Sequence, residues 1–287
     1  MANRPPLTVV LPLRDDTPHL ATLLRTIAVQ ADRTGSEVVV VGPVDRPVPP
    51  GVRVVHVDDF DLFRLRQAGV GAAEGAVVAI GEDHAVPRPG WCEAVIRAHE
   101  EHPDAPAVAG RLVNATDTTW VGRANFLAFA AQSIAPGARV ASSPPPFSAL
   151  SFKRDAITPA ADRTGWLESE LLPKLFRDGL LLPDADVVVD HYQDRGARWS
   201  VVNGFHSARS GYGYGCRGRS LPARLREAGW AFTHLPRRMV GEATAMSPEL
   251  RTERATRALL VGISVGVAVG GAIGAVFGTG HSGERVA

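Results

Sequence analysis

Up to residue 191, short apolar runs alternate with stretches whose apolar residues recur every three or four positions. The runs predict buried strands, and the periodic stretches predict amphipathic helices. The predicted strands cover residues 7–13, 37–41, 52–57, 76–80, 107–113, 148–153 and 186–190, and the predicted helices cover 18–30, 61–73, 91–101, 121–134 and 166–177. Strands that alternate with helices pair in parallel through right-handed crossovers. We therefore predict an α/β fold with a nucleotide-binding type of sheet.

Two acids and an imidazole, Glu82, Asp83 and His84, directly follow the predicted strand 76–80 and Gly81. The segment after them contains Pro87 and Pro89, which exclude a regular helix or a central strand. In open α/β sheets, ligands bind where strands end. The pattern predicts a ligand site here, and a solvated acidic turn is the alternative.

An apolar stretch of 21 residues, 258–278, carries no charge and has Ser264 as its one polar side chain. As a helix it would span roughly 30 Å, the thickness of a bilayer core. We predict a single transmembrane helix, with a flexible glycine-rich tail as the alternative. Arg251, Arg254 and Arg257 precede the stretch, and this positive-inside bias places the large N-terminal domain in the cytoplasm, at the cell membrane.

Glycines recur at every fourth position of that stretch, at 262, 266, 270, 274 and 278. This spacing forms a smooth ridge on one helix face, where a second helix can approach closely. The ridge predicts a homodimer formed through this face. Incidental spacing is the alternative.

Charge divides the chain unevenly. The 31 basic and 30 acidic residues nearly balance, which argues against a general nucleic-acid binder. Residues 195–257, however, hold 12 arginines and 4 acidic residues, so this part favours a phosphate-rich or anionic partner. His206 and Arg209 are placed to meet phosphate or a membrane surface, with a solvated basic loop as the alternative. Segment 221–239 fits either the lipid headgroup layer or an ordinary solvated helix.

Cys92 and Cys216 are the two cysteines, and they have no metal-ligand spacing. We expect them to be reduced thiols in a cytoplasmic compartment.

Several ordered motifs between residues 7 and 191 resemble the family 2 inverting glycosyltransferases. These are Arg66, Gly69, Ala73 and Gly75 before the strand 76–80, Glu82-Asp83-His84 in the place of the family's Asp-x-Asp, Pro89-Gly90-Trp91 just beyond, the acidic run Trp166–Glu170, and His191 at the end of a strand. The resemblance implies the GT-A fold, a Rossmann-like, mixed and mostly parallel sheet flanked by helices. It implies donor contacts from Pro12, Arg14, Arg66, Gly69, Glu82 and Asp83. It also implies a catalytic base at Glu168, with Glu170 as runner-up.

Three departures from the family pattern change these expectations. Gly42-Pro43 replaces the acid that contacts the nucleotide base, and no Gln-x-x-Arg-Trp motif follows His191, which argues against a processive synthase. The metal motif has Glu82 first and His84 last. An imidazole ligand suits Mn²⁺ better than Mg²⁺, and His191 could add a second nitrogen, so the predicted divalent-metal ligands are Glu82, His84 and His191.

The predicted function is transfer of a sugar from a nucleotide-diphosphate donor to a lipid-linked or cell-surface glycan acceptor, with inversion. A polyprenyl-phosphate sugar transferase and a non-catalytic sugar-nucleotide-binding membrane protein are the alternatives. The predicted organisation is a GT-A domain over 1–205, a basic acceptor-side segment over 206–257, the membrane helix 258–278 and a tail over 279–287.

Overall fold

The computed structural model describes residues 4–14, 17–130, 144–158 and 163–285. Its strands are β1 (Leu7–Pro12), β2 (Glu37–Gly42), β3 (Val52–His56), β4 (Val77–Ile80), β5 (Ala85–Pro87), β6 (Ala107–Asn114), β7 (Leu150–Lys153) and β8 (Leu181–His191). Its helices are α1 (Leu20–Thr34), α2 (Leu62–Ala72), α3 (Trp91–Glu101), α4 (Trp120–Ala130), α5 (Arg154–Ile157), α6 (Leu172–Arg177), α7 (Ala197–Gly215), α8 (Leu221–Met246) and α9 (Arg254–Phe277). Within these ranges, eight strands form one sheet in the order β3-β2-β1-β4-β7-β6-β8-β5.

The first four strands form the parallel half of the sheet. β1 lies between β2 and β4, and β3 pairs with the outer edge of β2, all in parallel. Alternate residues of β1 point to opposite faces, so Val9 packs in the core beneath α1 and α3 while Val10 packs in the core beneath α2. The predicted parallel sheet flanked by helices is confirmed.

The second half of the sheet is mixed. β7 runs antiparallel between β4 and β6, and β8 is parallel to β6. β5 pairs antiparallel with β8 at the outer edge of the sheet, with Ala85 opposite His191. We did not predict β5, because Pro87 and Pro89 exclude a central strand; an edge strand tolerates proline on its unpaired side.

Two predicted helices differ from the observed ones. The segment 166–177 is a π-helical turn, Leu167–Leu171, followed by α6. The helix predicted over 121–134 is α4, which is described as far as Ala130, and residues 131–134 lie outside the described ranges. A 3₁₀ turn, Phe147–Ala149, takes the place of the predicted start of strand 148–153.

The C-terminal third folds as three long helices. α7 replaces the solvated basic loop that was considered for His206 and Arg209, and it runs without a break across the predicted domain boundary after residue 205. α8 continues past residue 239 to Met246, with Pro236 inside it. The predicted apolar helix near the C-terminus is confirmed as α9, which is long and apolar enough to cross a membrane.

The glycine ridge of α9 packs against α7 of the same chain. A Cβ atom added to Gly266, Gly270 or Gly274 would lie 2.8, 2.1 or 2.2 Å from the carbonyl oxygen of Val201, Phe205 or Arg209, respectively. The two helices therefore run parallel with their backbones in direct contact, one ridge glycine to each turn of α7. The partner of the ridge is α7, and the prediction that a second copy covers this face is corrected.

Both ends of α9 contact the α/β domain. Arg123 of α4 pairs with Glu253, just before α9, and Arg14, just after β1, donates a hydrogen bond to the carbonyl oxygen of Glu284, beyond the end of α9, at 2.9 Å. A helix that crossed a bilayer would separate these contacts by roughly 30 Å of hydrocarbon. Half of the apolar window of α9 is buried inside the protein. Both ends of α9 are thus packed against the α/β domain, and the single-pass span stays a prediction.

The close packing of α7 and α9 predicts that Gly270→Ala destabilises the protein. Its new methyl would meet the carbonyl of Phe205, and such overpacking costs about 1–3 kcal/mol in the free energy of unfolding. Urea unfolding followed by circular dichroism measures this change. Gly262→Ala is the matched control, because its Cβ would lie 3.6 Å from Val201 Cγ2, an ordinary contact, and alanine favours a helix by up to ~1 kcal/mol over glycine. Equal stability of Gly270→Ala and wild type would contradict the packing.

Candidate active site

Three potential metal ligands meet where strands end. Glu82 follows β4, His84 precedes β5, and His191 ends β8. Their ligand atoms all lie within 4.8 Å of one another. The pairing of β5 with β8 causes this meeting, because it sets Ala85 opposite His191 and lets Tyr192 donate its backbone N–H to the carbonyl oxygen of His84 at 3.0 Å.

His191 is the most buried member of this cluster, at 4% exposed. Its Nε2 lies 3.2 Å from Glu82 Oε2, and its ring centroid lies 4.6 Å from that of His84. The side-chain amide of Gln193 contacts its Nδ1 at 2.7 Å. Gln193 therefore fixes the plane of the imidazole, as the outer partners of metal-binding histidines do.

Asp83 orients His84. Its carboxylate accepts a hydrogen bond from His84 Nδ1 at 2.7 Å, which leaves Nε2 of His84 facing Glu82 Oε2 at 3.9 Å. A carboxylate on one ring nitrogen raises the basicity of the other and directs its lone pair. Asp83, predicted as a donor contact, therefore holds a histidine in the geometry of a metal ligand.

The charges of the cluster are coupled. Burial alone would raise the pKa of Glu82, but the hydrogen bond with His191 and the charges of His84, His191 and Arg66 lower that pKa below its ordinary value. Burial lowers the pKa of His191. Burial also opposes protonation of His84, yet the hydrogen bond to Asp83 and the charge of Glu82 raise its pKa above the ordinary value. Glu82 is thus an anion and His191 a neutral imidazole, the forms that bind metal ions.

The donor set fits a divalent transition metal. It provides one carboxylate oxygen and two imidazole nitrogens. Imidazole is a ligand for transition metals, whereas Mg²⁺ prefers oxygen ligands. Glu82, His84 and His191 would therefore hold Mn²⁺ in preference to Mg²⁺.

Arg66 links this cluster to Glu168. Its Nη2 lies 3.3 Å from Glu82 Oε1, and its Nη1 lies 3.2 Å from Glu168 Oε1. The guanidinium also stacks on the ring of Phe147 at 4.7 Å, and its Nε has no hydrogen-bond partner among the described residues. A buried cation thus lies between two carboxylates.

Glu168 lies on the π-helical turn. Such turns occur frequently at functional sites because they displace a side chain from the regular helical position. Gly165, at φ +79°, precedes the turn, and a Cβ there would lie 2.4 Å from the ring of Tyr214. Burial raises the pKa of Glu168, and the charge of Arg66 opposes this shift. Glu170 is half exposed and pairs with Arg163.

One cavity of about 340 Å³ contains most of the predicted site residues. Its lining includes Pro12, Arg14, Arg66, Glu82, Asp83, His84, Glu168 and His191. This volume lies within the range of roughly 300–1,000 Å³ of small-molecule sites. The cluster of Glu82, His84 and His191 and the carboxylate of Glu168 therefore line the same cavity.

Four predicted site residues do not line this cavity. Glu170 points outward, and Gly69 lies on the side of α2 that packs on the sheet, where a Cβ would meet Val10 Cγ1 at 2.2 Å. His206 contacts Ser282 Oγ at 3.0 Å, and Arg209 donates to the carbonyl oxygen of Gly278 at 3.4 Å. His206 and Arg209 thus hold the segment that follows α9.

α7 lines part of this cavity, which we did not predict from the sequence. Trp199, Asn203 and Ser207 of α7 line the cavity, together with Gln193 and Phe147. The spacing of the α7 residues, three to four positions apart, places them on one helix face. That spacing could have been seen in the sequence, but the segment was not recognised as a helix.

Comparisons with known proteins match the fold. No family model matches the chain, and no curated protein matches it in sequence. The structure is similar to a mannosyltransferase from Pyrobaculum calidifontis, PcManGT, in complex with GDP-mannose and Mn²⁺, with a TM-score of 0.55 and 17% sequence identity over 93% of this chain and 88% of that one. The Staphylococcus aureus protein TarS in complex with UDP-GlcNAc also matches, with a TM-score of 0.48 and 13% identity over 92% of this chain and 90% of that one. The likeness to the mannosyltransferase shows that this chain has the GT-A fold.

The ligand cluster predicts that the protein binds Mn²⁺ and binds it more tightly than Mg²⁺. Calorimetric titration of the full chain with each metal alone measures both affinities. Glu82→Gln and His191→Ala each remove a ligand and should weaken Mn²⁺ binding at least as much as loss of an outer partner, which costs ~10–100-fold. Asp83→Asn changes the outer partner of His84 and should weaken Mn²⁺ binding by ~10–100-fold.

The matched control for this titration is His102→Ala, which removes an exposed histidine at the end of α3. We expect its Mn²⁺ affinity to equal that of wild type. Unchanged Mn²⁺ binding in folded Glu82→Gln and His191→Ala would contradict the assignment.

Proposed function

We propose that this protein is a metal-dependent, inverting glycosyltransferase of family 2. It moves a sugar from a nucleotide-diphosphate donor to a hydroxyl of a lipid-linked or cell-surface glycan acceptor. One observation carries the proposal: Arg66 joins a carboxylate–imidazole cluster suited to a divalent metal with a buried carboxylate, all within one cavity of a GT-A fold. The mannosyltransferase of similar fold binds GDP-mannose and Mn²⁺, which supports the same donor class here.

The donor half of the reaction is assigned to the ends of β1 and β4. A bound metal would neutralise the negative charge that develops on the leaving diphosphate. Arg66, whose guanidinium lies beside Glu82, adds a second cation next to it. Arg14 and Pro12, at the end of β1, line the same cavity and are assigned to the nucleotide.

The nucleotide base has no acid to contact directly after β2. Gly42 has a φ of +149°, and a Cβ there would lie 1.9 Å from the carbonyl oxygen of Leu13. The backbone at Gly42 is pressed against β1 and leaves no room for a side chain. Recognition of the base is therefore assigned to other groups near Arg14, which donates to the carbonyl oxygen of Phe60 at 3.2 Å.

The acceptor half of the reaction is assigned to Glu168. Inversion by one in-line displacement requires a base that takes the proton of the attacking hydroxyl, and such a base contributes about 10²–10⁴-fold to the rate. Burial raises the pKa of Glu168, which makes its carboxylate a stronger base. Arg66 opposes this shift through its charge and donates a hydrogen bond to Glu168 Oε1 at 3.2 Å.

Exposed apolar side chains and an excess of arginine in the C-terminal third support a location at a membrane surface, where a lipid-linked acceptor would be found. Leu221, Leu225 and Phe232 lie on the outside of α8 with more than half of their surface exposed, and Phe277 at the end of α9 is 76% exposed. Arginines outnumber acids by 12 to 4 over residues 195–257. Exposed apolar side chains beside a basic surface are typical of proteins that lie on anionic lipid.

Replacement of the base is the first test of the proposal. Glu168→Gln should reduce nucleotide-sugar consumption, measured with Mn²⁺ and a panel of donors and acceptors, by at least ~10²-fold. The wild-type rate should fall as pH drops through a pKa above 4.5, the ordinary value for glutamate, because burial raises the pKa of Glu168.

Glu170→Gln is the matched control, two residues away on the same turn, and should retain the wild-type rate. Full activity of Glu168→Gln would show that Glu168 is not the catalytic base. If that activity required a phosphate acceptor, it would favour a polyprenyl-phosphate sugar transferase.

Membrane extraction tests the location. The protein should bind vesicles of phosphatidylserine more tightly than vesicles of phosphatidylcholine, and alkaline carbonate should release it, because α9 is packed within the domain. Leu225→Glu and Phe232→Glu should weaken vesicle binding, and Val29→Glu, at an exposed apolar position on α1, should not. Retention in the membrane after carbonate would instead support the single-pass span and contradict the packed arrangement.

A further inference from the structure

A second, larger cavity adjoins the first. It measures about 760 Å³ and is bounded by α4, by the π-helical turn that carries Glu168, and by α6, α7 and α8. The two cavities share Glu168, Ser207 and Gly211 in their linings. A molecule bound in the second cavity can therefore contact the carboxylate of Glu168.

The junction between the cavities is open. Gly211 of α7 lies there, and a Cβ added to it would meet no atom within 4 Å. Gly204 and Ala208, which lie on the same face of α7, also line the second cavity. Gly211 and Ala208 leave a groove along α7 that leads away from Glu168.

The walls of the groove are apolar. Pro173 and Phe176 of α6 line it together with Trp230, Leu235 and Met239 of α8. An alkyl or prenyl chain gains free energy in such a groove in proportion to the apolar area that it removes from water.

Cations lie in the same lining. Arg238 stacks on Trp230 at 5.3 Å, and its Nε has no hydrogen-bond partner in the described part of the chain, although Glu242 lies 3.9 Å from it. Arg219 pairs with Glu227 at 3.5 Å. Arg177 has no carboxylate partner within the described ranges. An anionic group on the occupant would meet donors here.

We propose that the second cavity is the acceptor site and that its occupant is an amphiphile with a terminal hydroxyl, an anionic linking group and an apolar chain. The inference rests on the proposed function and specifies its acceptor. The hydroxyl reaches Glu168 at the junction, the linking group contacts Arg238, and the chain follows the groove past Phe176, Trp230 and Met239.

This placement separates the charges as the chemistry requires. A hydroxyl has no charge to repel Glu168 and gives its proton to that carboxylate, while its oxygen forms the bond to the sugar and the diphosphate leaves. An anionic group next to Glu168 would be repelled. The arginines lie farther along the groove, where a phosphate-type linking group can be accepted.

Alkyl probes test the apolar groove directly. Calorimetry of the full chain compares octyl β-D-glucoside, kept below its micelle-forming concentration, with methyl β-D-glucoside. We expect the octyl compound to bind at least ~10-fold more tightly, because the additional methylenes are buried. Gly211→Leu fills the open junction and Trp230→Ala removes one wall, and each should abolish that preference.

The control variant is Val265→Ala, which truncates an exposed apolar side chain of α9 outside the groove. It should keep the full preference for the octyl compound. Gly211→Leu is expected to fold, since leucine favours helix over glycine and its Cβ contacts nothing. Equal binding of octyl and methyl compounds, or an octyl preference that survives both Gly211→Leu and Trp230→Ala, would overturn the inference.

Octyl phosphate tests the cations. It should bind more tightly than octyl glucoside, and Arg238→Gln should remove at least half of that difference in binding free energy. No effect of Arg238→Gln would overturn the assignment of the linking group.

A separate titration with Mn²⁺ and a nucleoside diphosphate distinguishes failure of the proposed function from failure of the acceptor site. Absence of nucleotide binding overturns the proposed function, whereas intact nucleotide binding with no octyl preference overturns the acceptor site alone.

Discussion

The arrangement of the site depends on one buried cation between two carboxylates. Arg66 is 7% exposed and contacts Glu82 with one nitrogen and Glu168 with another. Breaking a buried ion pair by removing one partner costs about 3–5 kcal/mol, because it leaves an uncompensated charge. The proposed metal ligands and the proposed base are therefore linked through Arg66. Burial raises the pKa of Glu168, and the charge of the same guanidinium opposes this shift.

α7 couples this site to the C-terminal helices. One face of α7 lines the cavity with Trp199, Asn203 and Ser207. The opposite side of its backbone lies directly against the glycines of α9. Since both helices are rigid and their backbones touch, the position of α7 is set by α9. A helix with the composition of a membrane span thus supports one wall of the proposed active site.

Local patterns sufficed to predict the parallel half of the sheet, because its strands and helices lie in sequence order and bury faces visible in the periodicity. The grouping of Glu82, His84, His191 and Glu168 followed from the family resemblance, which fixes the order of motifs. β5 was missed, since three residues that contain a proline carry no strand signal. α9 was assigned to a bilayer because its interior partner and a lipid tail are equally apolar. The contacts of Arg123 with Glu253 and of Arg14 with Glu284, at the two ends of α9, are not visible in any local pattern. The acceptor groove depends on packing between α6, α7 and α8, which no local pattern specifies.

The central claim is that Glu82, His84 and His191 hold the metal of a sugar-nucleotide site. The most direct measurement is anomalous diffraction at the manganese edge from crystals of the full chain grown with Mn²⁺ and a nucleoside diphosphate. We expect one anomalous peak about 2.0–2.3 Å from one oxygen of Glu82 and one nitrogen each of His84 and His191, with a phosphate oxygen within hydrogen-bond distance of Arg66. A manganese peak held by other residues, or a diphosphate bound away from Arg66, would contradict it.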